Sequence, residues 1–116
     1  MKRMLIVVAA VAVLAPLTAH AQERMSDARY LAASRCLAYA DLEPLQSDPA
    51  DFTSLREAAN VGQRPPAIRE RARTDVRNIR HIARSLDAAQ LRTRREDACA
   101  AFAERGLVQL GGAGAS

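Results

Sequence analysis

The chain has 116 residues, with 17 Lys and Arg against 13 Asp and Glu, for a formal net charge of +4. That length excludes more than one domain of ordinary size. So small a net charge does not by itself demand an anionic partner, and its distribution matters more than its sum.

The chain opens on "MKRMLIVVAAVAVLAPLTAHAQ". Lys2 and Arg3 form a positive start, Leu5 to Ala15 an apolar run, and Ala19-His20-Ala21 a small-x-small cleavage site. This is the layout of a secretory signal peptide, residues 1–21, with cutting expected after Ala21. The apolar run is about eleven residues, short of the ~20 needed to span a bilayer. No transmembrane anchor is therefore expected after processing. Removal of Lys2 and Arg3 lowers the formal charge from +4 to +2. Heavy Ala and Arg usage fits a GC-rich bacterium, which places the processed chain in the periplasm.

In the processed chain, Ser26 is suited to cap a helix over about Asp27–Asp41, where Tyr30, Ala33, Leu37 and Ala40 recur at helical spacing. Pro44 stops it. "SDPADF" reads as a second helix start, with Asp48 as cap and Pro49 at the first helical position. Phe52, Leu55 and Ala59 form its apolar stripe, and Gly62 with Pro65-Pro66 ends it. A third helix is expected from Pro66 to about Leu86, through Ile68, Ala72, Val76, Ile79 and Ala83, with Ile82 flanking. Asp87 with Gln90 could open a new turn, and Thr93 with Glu96 matches a capping box for a last helix, "REDACAAFAER". Gly106 ends that helix, "LVQL" packs back on the body, and residues 111–116 form a flexible Gly/Ala tail. No alternation of period two persists. The expected class is all-α, a small three- to four-helix bundle in a single domain over residues 22–110.

Cys36 and Cys99 are the only cysteines. An even count in a small exported chain predicts a disulfide. The scattered Leu, Ile, Val and Phe make a thin core, so a tie closing a loop of about 63 residues, worth ~4 kcal/mol, would rival the whole stability of a marginal domain. No CxxC motif is present, and two cysteines with His81 lack metal-ligand spacing. No metal or cofactor is expected.

The stretch "RERARTDVRNIRHIAR", residues 69–84, holds six arginines. On a helical wheel Arg69, Arg73, Arg77, Arg80 and Arg84 fall within about 80° of one another, beside the apolar sector. Arg64, Arg92, Arg94 and Arg95 could extend this field. Ten arginines meet three acids over residues 64–95, while Glu43, Asp48, Asp51 and Glu57 gather in and before the second helix. One reading makes the stripe a solvated face or one paired internally with that acidic segment. The other makes it a surface for an anionic partner, since guanidiniums offer forked donors to phosphate or carboxylate. No aromatic residues interleave with the arginines, so base stacking has no platform and nucleic acid is not expected.

Nucleophile-elbow, zincin, phosphate-loop and haem-attachment motifs are all missing, so no enzymatic activity is expected. The reading that follows is an exported binding or accessory module contacting an acidic protein or an anionic envelope component. The alternative is a periplasmic stress or chaperone-like protein that exposes apolar surface. Alanine-faced helices also leave room for a homodimer.

Overall fold

A computed structural model describes residues 24–111 of the chain. The proposed signal segment and residues 112–116 lie outside the described residues. Four α-helices follow one another: α1 (Asp27–Ala40), α2 (Thr53–Ala59), α3 (Pro66–Ala83) and α4 (Ala88–Glu104), with a 3-10 turn at Glu43–Leu45 between the first two. Among the described residues there is no β-strand, only one isolated bridge, in which Asp51 and Gln109 exchange N–H···O bonds of 2.8 and 2.9 Å.

Helix α1 starts where its cap dictates: the Ser26 hydroxyl accepts from the Arg29 N–H at 3.1 Å, satisfying one of the orphan donors of the first turn. The helix is the hub of the bundle and touches α2, α3 and α4. That position explains why it buries more than one stripe, with Ala33, Cys36, Ala38 and Ala40 all buried. Small side chains let its neighbours approach closely, and the Cα atoms of Cys36 and Cys99 are 4.9 Å apart.

Helix α2 begins at Thr53, later than the Asp48-Pro49 start suggested by the sequence. The reason lies in two competing partners. Asp48 is held by Arg92 and Arg95 of α4, and Asp51 is drawn into the bridge with Gln109. The Asp51 carboxylate instead accepts from the Thr53 N–H at 2.9 Å, which holds its pKa below the ordinary carboxylate value.

Helix α4 is one continuous helix from Ala88, not a turn followed by a fresh start at Thr93. Asp87 and Gln90 form a complete capping box: the Gln90 N–H donates to Asp87 Oδ1 at 2.8 Å, and the Asp87 N–H to Gln90 Oε1 at 2.9 Å. Thr93 therefore sits inside the helix and turns its hydroxyl back to the Ala89 carbonyl at 3.3 Å. Replacing Asp87 with Ala should cost about 1 kcal/mol, read as a lower urea midpoint with an unchanged slope. Gly106, at φ +80°, supplies the left-handed residue that ends the helix. The Leu107 N–H reaches the Phe102 carbonyl at 2.9 Å and the Gly106 N–H reaches Ala103 at 3.1 Å, a Schellman closure. Val108 then returns into the core, and Gly111 lies so close to the Pro49 carbonyl that a β-carbon there would come within 1.7 Å of its oxygen.

The core has two parts. Around the cysteines, Ala33, Leu55, Phe102 and Val108 pack with Cys36 and Cys99. Nearer the other end of α1, Ala38, Leu42, Leu45, Ile79 and Leu91 form a second cluster. Cys36 and Cys99 pair at disulfide distance, 63 residues apart in sequence and with no solvent exposure. Helix α3 contributes to the second cluster through Ile79 and Val76. It runs in the same sense as α1, with Arg64 beside Asp27 at one end and Asp75 beside Arg35 midway.

Candidate functional site: an arginine row on α3

The most strongly amphipathic element is α3. Ala72 and Ile79 are buried and Ile68, Val76 and Ala83 are half-buried. The five arginines predicted to align, Arg69, Arg73, Arg77, Arg80 and Arg84, are all exposed. Four lie within the helix and Arg84 caps its C-terminus, where a cation also suits the helix dipole. His81 and Ile82 are exposed on the same helix, Ile82 by 43%. The apolar packing of Ala72, Val76 and Ile79 fixes the rotation of the helix, so the row faces water as a geometric consequence of the core.

One carboxylate faces this row. Glu70 lies 3.2 Å from Arg73 and 3.9 Å from Arg77, and Arg77 also donates to the Thr74 hydroxyl at 3.2 Å. Both arginines keep 62% of their side-chain surface exposed. Exposed pairs of this kind contribute ~0–1 kcal/mol, so Glu70 tempers the field without consuming it. Arg69, Arg80 and Arg84 have no carboxylate within 4.0 Å among the described residues. The sixth arginine of the stretch, Arg71, points elsewhere and reaches Asp75 at 3.6 Å, which Arg35 of α1 approaches at 3.4 Å.

The acidic segment does not pair with the row. Asp48 is gripped by α4: Arg92 donates through Nε and Nη2 at 2.8 and 3.1 Å, and Arg95 Nη1 stands 3.1 Å away. The hydrogen bond from Arg92 is the main reason the Asp48 carboxyl sits below its ordinary pKa, with burial opposing it. Asp41 pairs with Arg56 of α2. Three arginines that could have widened the basic field are thus drawn away from it. Arg92 and Arg95 serve Asp48, and Arg64 serves Asp27 at 3.0 Å. Arg94 alone of that group stays exposed.

Sequence reasoning missed that Arg64 and Arg95 are core residues, each with a side chain only 3% exposed. The guanidinium of Arg64 lies over the Tyr30 ring at 4.6 Å from its centroid, and that of Arg95 lies 6.0 Å from the Phe52 centroid. For Arg95 a signal existed: it stands one turn before the buried Cys99 on α4. For Arg64, in a non-helical approach to Pro65-Pro66, periodicity carries no information.

Among the described residues no group of three His, Cys, Asp or Glu could hold a metal ion, and no helix is long and apolar enough to cross a membrane. No protein-family model, curated protein or solved structure matches the chain.

Proposed function

We propose that this chain is a small exported binding module whose α3 arginine row contacts an anionic partner, either an acidic protein or an anionic component of the cell envelope. One observation carries the reading. Five exposed guanidiniums along α3 face one carboxylate, while Asp27, Asp41, Asp48 and Asp75 are engaged by other arginines. A row of this kind attracts polyanions at long range and grips them with forked donors at contact.

The contact is electrostatic, because the apolar flank of α3 is already committed to the second core cluster. Binding of the processed chain to phosphatidylglycerol vesicles, a probe for an anionic surface, should therefore weaken steeply as ionic strength rises. Screening shortens the field to ~8 Å at 0.15 M salt and ~3 Å at 1 M. Binding that persists unchanged between low and molar salt would contradict the reading. The chaperone-like alternative draws on exposed apolar surface, and Ile82 is the large hydrophobic side chain that is exposed among the described residues.

A further inference from the structure

Arg64 is held on two sides and unpaired on the third. Its Nη1 donates to Asp27 Oδ1 at 3.0 Å, and its plane lies over Tyr30. Its Nε and Nη2 make no hydrogen bond and are buried. Those two nitrogens form the side edge of the guanidinium, where both N–H bonds point the same way, the geometry that matches two oxygens of one oxyanion. Buried donors are almost always satisfied, so a vacant pair of this kind calls for a partner.

The surroundings favour an anion. Arg64 lines a cavity of about 280 Å³ at the elbow between α2 and α3, together with Tyr30, Asn60, Gln63 and Arg69. No lining residue is acidic. Arg69, one turn into α3, has no carboxylate partner among the described residues, and the positive end of the α3 dipole lies close by. Arg24 crosses the same elbow, its stem against Gly62 and its guanidinium donating to the Gln63 carbonyl.

We infer that this elbow is a discrete phosphate site, in which Arg64 clamps two oxygens of one phosphate through Nε and Nη2 and Arg69 takes a third. The ligand is inorganic phosphate or a phosphate monoester. Asp27 and Tyr30 are positioning residues: they fix the guanidinium plane and so the direction of its unpaired edge. Entry requires the side chains that cover this edge to shift. The inference does not rest on the anionic-surface reading, since the site uses one end of the row and does not need Arg80 or Arg84.

The test is a phosphate titration of the full processed chain, followed by amide NMR at constant ionic strength, with chloride as the matching salt. Saturable shifts are expected at Asn60, Gln63, Arg64 and Arg69. Arg69→Gln should weaken them roughly tenfold, as loss of one charge-assisted contact implies, and Arg80→Gln should leave them nearly unchanged. Arg64→Lys keeps the charge but loses the fork, and should abolish saturation. If that variant fails to fold, Arg69→Gln decides. A parallel titration with glycerol phosphate separates the sources: tighter binding of glycerol phosphate assigns a phosphate monoester, and tighter binding of inorganic phosphate assigns the free ion. Shifts that never saturate, or that fall equally in Arg69→Gln and Arg80→Gln, would overturn the inference and leave a bound water as the partner of Arg64.

Discussion

Breaking the Cys36–Cys99 pair is expected to remove about 4 kcal/mol of folding free energy, the chain-entropy value for a loop of this length. The two residues are 63 apart in sequence, and apart from Cys36 the residues that α1 buries are alanines, which favour helix but bury little surface. Reduction, or the paired change Cys36→Ala with Cys99→Ala, should lower the melting temperature by roughly 15–30 °C for a domain of this size. Because neither cysteine is exposed to solvent, a reductant should act slowly on the folded chain and quickly in denaturant. A melting curve that ignores both the reductant and the paired substitution would contradict the role given to this tie.

The second large effect concerns Asp48. Arg95 is almost wholly buried and Asp48 is the carboxylate that balances it. Asp48→Asn leaves a buried guanidinium without a counter-charge, which should cost about 3 kcal/mol at neutral pH. The pH dependence follows from the same contacts. Arg92 holds the folded-state pKa of Asp48 below its ordinary value of 3.8, so the unfolded chain binds the proton more readily. The stabilisation is complete above about pH 4 and fades as pH falls through the folded value. Urea midpoints at pH 7 and pH 3 should therefore differ less in Asp48→Asn than in the parent. Some acid sensitivity should remain, since Asp51 is also held low by the Thr53 N–H. Equal midpoints for variant and parent at pH 7 would sink this account of the α4 cluster.

The helical class and the exposed arginine row were legible because each depends on local pattern, and the cysteine pairing because the chain holds only two cysteines. The Ile68–Ala72–Val76–Ile79 spacing fixes which side of α3 is wet. Ser26 and the Asp87–Gln90 box mark true helix starts. What the sequence concealed were choices settled by tertiary partners. Asp48-Pro49 looks like a helix cap, and nothing local reveals that Arg92 and Arg95, more than forty residues onward, draw that carboxylate away. Thr93 and Glu96 satisfy the capping-box spacing, yet the helix had already nucleated at Asp87. Cys36, outside the Tyr30–Ala33–Leu37–Ala40 spacing, is central because α1 is covered by three neighbours rather than one. The Arg64 elbow was hidden for the same reason: its meaning comes from Asp27 and Tyr30, brought there by the parallel packing of α1 and α3.

The row on α3 is tested most directly by separating where charge lies from how much there is. Two variants lose the same charge: Arg80→Gln with Arg84→Gln on the row, and Arg29→Gln with Arg105→Gln beside α2 and the C-terminal end of α4. At about 1 kcal/mol per arginine near an anionic surface, the row variant should bind phosphatidylglycerol vesicles about thirty-fold more weakly than the parent, and the other pair should stay close to it. Equal losses in the two would show that net charge alone draws the protein to anions and that the α3 row holds no special place.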